Sequence, residues 1–173
     1  QKRATGDVDF YRDWAAYREG FGNITGDFWL GNEALHTLTS QNDYEMRIDL
    51  HVDGKEFYAH SPSFKVESEP DNYRLRLGRP STITSTLGVE GLTYHNNLAF
   101  STLDRDNDSW PGGRCAVSHH GGWWYAQCHR DNINGLWGAE GAVGVSWKAA
   151  SRWVYPNFTE MKIRRLPAST TNL

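Results

Sequence analysis

The sequence predicts an α+β domain in which two short helices pack on an antiparallel sheet and a long irregular region follows. Three observations point there: helical spacing of apolar residues in the first forty residues, a switch to strict alternation over residues 44–77, and the loss of either period after Gly78. A length of 173 residues fits one hydrophobic core. Only 38% of the residues are apolar, but the chain carries eight Trp, eight Tyr and seven Phe, so rings replace aliphatics as the filling. Such rings bury much area each while keeping one polar edge available.

The elements follow in order. Phe10, Trp14 and Tyr17 fall at helical spacing in residues 9–22, with Asp9 as the expected N-cap and Gly20 as the stop. A second helix is expected over about residues 32–40, where Asn32 can cap and Ala34, Leu35 and Leu38 form a stripe. In Tyr44-Glu-Met-Arg-Ile-Asp-Leu-His-Val52 every second residue is apolar, the mark of a half-buried strand. Asp53-Gly54 reads as a hairpin turn and Glu56 to Ala59 as the start of the return strand. Phe64 with Val66, and Tyr73 with Leu75 and Leu77, predict two further strands. Residues 79–160 then hold six of the eight tryptophans and most of the glycines without a clean period. Irregular backbone of this kind needs pinning by a disulfide, an ion or buried rings, and is where functional loops are expected.

Composition removes several partners. With 18 Lys and Arg against 21 Asp and Glu the net charge is −3, so there is no global basic footprint for nucleic acid. No apolar run approaches the roughly 20 residues that cross a bilayer, and membrane insertion is not expected. The opening Gln-Lys-Arg-Ala-Thr-Gly lacks the apolar centre of a signal peptide, which places any export signal outside this chain.

Cys115 and Cys128 enclose a loop of comfortable length for a disulfide. Two other readings stand beside it: zinc ligation with His119, His120 and His129, and a nucleophilic Cys128. Adjacent Cys-His side chains in extended chain point to opposite faces, which weighs against both. A disulfide implies an oxidising, extracellular compartment, as do the sequons at Asn23, Asn107 and Asn157, of which Asn23 and Asn157 are the expected glycosylation sites. No nucleophile–base–orienter set or zinc motif of known spacing is present, so an enzyme is not expected.

Asp104-Arg-Asp-Asn-Asp108 places three carboxylates at alternate positions. Carboxylates this close repel one another unless a hard cation is present, and oxygen donors beside free carbonyls suit Ca²⁺. An EF-hand is excluded, because its sixth and twelfth positions are Ser109 and Cys115 rather than Gly and Glu. A solvated acidic turn is the alternative.

Eight motifs in fixed order then make the chain recognisable. They are Phe10-Tyr-Arg-Asp-Trp14, Gly20-Phe-Gly22, Phe28-Trp-Leu-Gly31, Phe100-Ser-Thr-Leu-Asp-Arg-Asp-Asn-Asp108, Gly121-Gly-Trp-Trp-Tyr125, Cys128-His129, Asn132-Ile-Asn-Gly135 and Glu160-Met-Lys-Ile-Arg164. Together they resemble the fibrinogen C-terminal-like domain over nearly the whole chain. The wording of Gly22 to His36 and the compact segment after Gly135 look closest to tenascins, with ficolin-type lectins next.

The resemblance implies a single domain over residues 1–173: helices and central sheet over 1–78, a loop-rich calcium and ligand region over 79–160, and a C-terminal strand and tail over 161–173. It implies Ca²⁺ on the carboxylates of Asp106 and Asp108 and the carbonyls of Trp110 and Gly112, or Gly113 in its place, with Asp104 just outside the ligand set. It implies a Cys115–Cys128 disulfide and a cis peptide at Gln127-Cys128. Family members that bind acetylated sugars do so beside this calcium, which maps a ligand pocket to His119, Tyr125, Gln127, Cys128 and His129, with aromatic walls from Trp124, Tyr125, Trp137 or Trp153.

The implied function is a secreted, calcium-binding recognition module of tenascin type that binds a cell-surface receptor or matrix protein. The alternative is a ficolin-type lectin for acetylated glycans. Oligomers would form through segments outside this chain. Lys162, Arg164 and Arg165 are candidates for a basic patch, against the alternative of a solvated strand edge. Loops 79–91, 109–114 and 136–155 depart from the family pattern, and the chain opens at the equivalent of the family's internal Gln-Arg-Arg, which leaves the usual N-terminal subdomain outside it.

Overall fold

The alternating segment forms the centre of the structure. Strand β4, Tyr44–Val52, buries Met46, Ile48, Leu50 and Val52 while Arg47, Asp49 and His51 face outward. The computed structural model describes residues 1–150 and 152–167, so the expected tail lies outside the described residues from Ala168 onward. At the hairpin, Asp53 and Gly54 both take positive φ, 51° and 73°, the pair of left-handed residues that matches strand twist.

Ahead of β4 lie β1 (Lys2–Arg3), helix α1 (Trp14–Glu19), β2 (Phe21–Gly22), β3 (Phe28–Trp29) and helix α2 (Asn32–Gln41). After it come β5 (Lys55–Val66), β6 (Leu75–Leu77) and β7 (Thr84–Ser85). The expected short return strand and the separate Phe64–Val66 strand are one strand, β5. Pro62 does not break it, because the register slips from Met46↔Ser61 to Tyr44↔Phe64 and the proline falls in that bulge, where no ladder donor is required. The first helix also begins later than expected. Asp13 accepts from the Ala16 N–H at 2.9 Å and is the cap, whereas Asp9 accepts from the Tyr11 N–H in a turn before it.

The loop-rich region contributes helices α3 (Glu90–Tyr94) and α4 (Cys115–Ser118), then β8 (Asp131–Asn132), β9 (Ser146–Ala149) and β10 (Arg152–Val154). The last strand, β11 (Phe158–Arg165), returns to the large sheet, whose antiparallel order is β2-β3-β1-β11-β4-β5-β6 with β7 on β5. A second sheet runs β10-β9-β8. Among the described residues no helix is long and apolar enough to cross a membrane.

Rings join the two parts. Trp124 is fully buried, donates its indole N–H to the Tyr73 carbonyl at 2.8 Å, and packs edge-on against Phe100 and near Trp29. Trp123 donates to the buried Asp131 carboxylate at 2.8 Å. His95, also buried, donates from Nδ1 to the Trp124 carbonyl at 2.6 Å and accepts at Nε2 from the Arg130 and Asp131 N–H groups. One imidazole thus satisfies three backbone groups where no ladder does so. That fixes the direction in which the chain leaves the second cysteine.

Candidate functional site

The acidic run divides in two. Asp104 turns toward the sheet and accepts from the Trp14 N–H at 2.9 Å and the Thr102 hydroxyl at 2.7 Å, tying the loop to the start of α1. Asp106 and Asp108 stay together: the Asp108 N–H donates to Asp106 at 3.2 Å. Asp108 accepts from the Trp110 N–H at 2.8 Å through one oxygen and from the Cys115 N–H at 2.7 Å through the other. Burial, and then the neighbouring Asp106, push the Asp108 carboxyl above the usual range. The nearest basic residues face elsewhere: Arg105 reaches Asn72 and covers the Trp14 ring, and Arg114 donates to the Leu103 carbonyl. Two apposed carboxylates that keep spare lone pairs and have no cation in contact among the described residues fit a hard, oxygen-seeking ion. The carbonyls of Trp110 and Gly112 stand in the turn that follows, the first receiving only a long 3.4 Å bond from the Gly113 N–H.

Cys115 opens α4 and pairs with Cys128, with Cα atoms 5.5 Å apart. Cys128 therefore offers no free thiol, and the Gln127-Cys128 peptide is cis. The backbone N–H groups of Cys128 and His129 make no hydrogen bond among the described residues. His119, at the end of α4, donates from Nδ1 to the Ala142 carbonyl at 2.7 Å, and His129 donates from Nε2 to the same oxygen at 3.2 Å. The two rings meet edge to face with centroids 4.5 Å apart. Burial, and next the His119 neighbour, lower the His129 pKa to about 3; burial lowers that of His119 as well. Both rings are neutral at physiological pH, each with one nitrogen left as an acceptor.

These residues border a cleft of about 250 Å³ lined by His119, Cys128, His129, Gly141, Ala142, Trp153 and Tyr155. Of the expected ligand residues, the structure brings His119, Cys128 and His129 together there. It does not bring the others. Trp124 and Tyr125 are buried, Tyr125 holding Gly121 and Asn132 through its hydroxyl, so neither ring reaches the cleft. Trp137 lies on another face against Gly6 and beneath the Arg3 guanidinium, 5.3 Å from its ring. Gln127 is exposed outside the lining, its N–H directed 3.4 Å to the Tyr94 hydroxyl. The aromatic wall is Trp153, named in the sequence, together with Tyr155, and Gly141 and Ala142 complete the lining; no period or motif marks these last three.

The zinc grouping is not assembled either. His120 packs at a tilt against Tyr11, ring centroids 5.0 Å apart, and no group of three or more metal-ligating side chains occurs among the described residues. The expected basic patch is largely neutralised: Lys162 pairs with Asp49 and with Glu160 at 3.3 Å, and Arg164 with Glu45 at 2.5 Å, across the outer face of the sheet. Asn23 and Asn157 are exposed, whereas the Asn107 amide donates inward to the Phe100 carbonyl at 2.8 Å.

The family model for the C-terminal globular domain of fibrinogen beta and gamma chains matches residues 1–166. The chain belongs to this family. As a fibrinogen-like domain it is similar to the fibrinogen-like globe domain of human ANGPTL2, at 38% identity and a TM-score of 0.88, covering 96% of this chain and 79% of that one. The globe domain of human ANGPTL6 is similar at 37% identity and TM-score 0.87, over 96% and 77% of the two chains. Lamprey fibrin D-dimer, complexed with the peptide Gly-His-Arg-Pro-amide, is similar at 33% identity and TM-score 0.82, over 100% of this chain and 63% of that one. Fibrinogen-like domains are recognition and binding modules, and that coarse function holds for this chain.

Proposed function

We propose that this domain is a secreted, calcium-binding recognition module that reads a small group on a cell-surface or matrix partner in the cleft beside the disulfide. The observation that carries the reading is the pairing of an aromatic wall, Trp153 and Tyr155, with the unpaired backbone N–H groups of Cys128 and His129. An acetamido group has the matching chemistry, a methyl for the rings and a carbonyl for the donors. This favours the acetylated-glycan reading over a tenascin-type protein contact. Calcium on Asp106, Asp108 and the carbonyls of Trp110 and Gly112 would supply the positive charge that the two carboxylates lack, and so set the loop that leads into Cys115. Single-site affinity for such a small group is weak, and multivalent display raises it.

The test is a titration with N-acetylglucosamine in calcium and after chelation, for the native domain and for Asp106→Ala with Asp108→Ala. Saturation in calcium alone, lost in the double variant, is the expected result. A flat response of the native domain up to roughly tens of millimolar, the weak end of measurable affinity, sinks the glycan reading. Equal binding with and without calcium sinks the role of the ion.

A further inference from the structure

Most cations of this acidic chain are spoken for. Arg47 and Lys162 hold Asp49, Arg164 holds Glu45, and Arg76 and Lys65 hold Glu67. Arg130 and Lys148 belong with Lys2, Lys55, Arg79, Arg152 and Arg165, whose side chains make no ion pair or hydrogen bond among the described residues, and they are the two of these seven that rest on aromatic rings.

The small sheet sets these two side by side. Asp131 is opposite Trp147 in the β8–β9 pairing, and the Lys148 N–H donates to the Arg130 carbonyl at 2.7 Å one step further, so Arg130 and Lys148 share a face. Lys148 is in turn opposite Trp153 on β10. Each cation rests on a ring, the Arg130 guanidinium 5.5 Å from the Tyr94 centroid and the Lys148 ammonium 5.5 Å from that of Trp153. Trp153 lines the cleft and stands 5.4 Å from His129. A row of two uncompensated cations thus runs from the cleft's aromatic wall along the adjoining face. The acidic residue next in sequence to the cleft lining is Glu140, exposed beside Gly141 and in no ion pair among the described residues.

Two like charges held at neighbouring positions repel each other until an anion bridges them, and rings that fix their place reduce the ordering needed to do so. We propose that Arg130 and Lys148 form an anion subsite on the rim of the cleft, which receives the sulfate or carboxylate substituent of an acidic glycan. The proposal rests on the cleft reading for the orientation of the sugar, but its charge argument is independent of it. An extended acidic peptide is disfavoured as the occupant, because the row is only two cations long and ends on a cleft sized for a single small group.

The experiment compares N-acetylglucosamine, its 6-sulfate, a sialylated trisaccharide carrying a carboxylate, a sulfated glycosaminoglycan hexasaccharide and an Asp/Glu-rich peptide, all in calcium. The variants are Arg130→Ala with Lys148→Ala, and Arg152→Ala as a control. Arg152 is opposite Ala149, one register step from Trp153, and so faces away from the row while removing charge from the same hairpin. The expected result is that an acidic sugar binds the native domain about five- to tenfold more tightly than the neutral one, the scale of two exposed charge contacts. That preference is lost in the double variant and kept in Arg152→Ala, while neutral-sugar affinity stays unchanged. Preference for the sulfate or for the carboxylate identifies the source of the anion. If the neutral sugar fails to bind but the hexasaccharide binds and loses affinity in the double variant, the cleft reading falls and the subsite stands. No preference for any acidic sugar, a preference that survives the double variant, or the peptide binding as well as the acidic sugars would each overturn the proposal.

Discussion

In the sheet region β4 is paired along its whole length, with β5 on one side and β11 on the other, and its inner face is aliphatic: Met46, Ile48, Leu50 and Val52. Between β7 and β8 the backbone has no such ladder. There the groups are satisfied singly, by His95 on three partners, by Asp108 on the N–H groups of Trp110 and Cys115, and by Tyr125 on Gly121 and Asn132. The contrast matters for function. A ladder distributes its tolerance over many equivalent bonds, while a network of unique partners fixes particular atoms in space, which is what a recognition cleft requires.

The contrast is broken most severely at Trp124, the ring shared by both regions. Trp124→Ala removes the donor to Tyr73 and the packing against Phe100 and Trp123, and it should cost about 3–5 kcal/mol by the usual range for a buried aromatic. Urea unfolding measures this. A cost below about 1 kcal/mol, the surface range, would mean that the rings do not couple the two regions.

Replacing both Cys115 and Cys128 with Ser probes the loop region alone. The sequence separation is 13, for which the chain-entropy estimate is about 3 kcal/mol. Hydrogen exchange should accelerate at Cys115, Ser118 and His119 while the Ile48 and Leu50 amides of β4 keep their protection at subglobal openings. Uniform acceleration across both regions would show that they open only as one unit.

This division also decides what could be read from the residues. Strand β4 was legible because strict alternation reports a sheet with one buried face. Strand β5 was not read whole, since Pro62 signals a break and only the register with β4 shows that it sits in a bulge. Asp9 and Asp13 are equally good caps by chemistry, and the structure chooses Asp13 through a single bond to Ala16. In the loop region the cysteines, the acidic run and His129 stand out in the sequence because their chemistry is distinctive and the family pattern orders them. Irregular backbone carries no period to say which ring points inward, so Trp124, Tyr125 and Trp137, expected at the pocket wall, lie elsewhere in the structure. Gly141, Ala142 and Tyr155 reach the cleft only through the fold of residues 136–155, the segment that departs from the family wording.

The smallest effect sharpens the comparison by pH. The His129 ring titrates at about 3 in the fold, held down chiefly by burial, against an ordinary value of 6.5. Below 6.5 the unfolded ring takes up a proton that the folded ring refuses, so the unfolded state binds more protons and stability falls as pH drops from 6.5 toward 3. His119, lowered by burial, acts in the same sense. Asp108 and Asp131, both raised chiefly by burial, act in the opposite sense, since their folded forms hold protons that the unfolded forms have released. The wild-type slope is therefore a difference, and His129→Gln isolates one part of it. Between pH 7 and 5.5 the native domain should lose about 1 kcal/mol more than the variant, one pH unit below the unfolded pKa being worth roughly 1.4 kcal/mol. Urea midpoints of the two proteins at each pH give the difference directly. Parallel curves would mean that His129 takes its proton without opening the cleft, and that the bond to Ala142 belongs to a mobile rim rather than to the fixed network of the loop region.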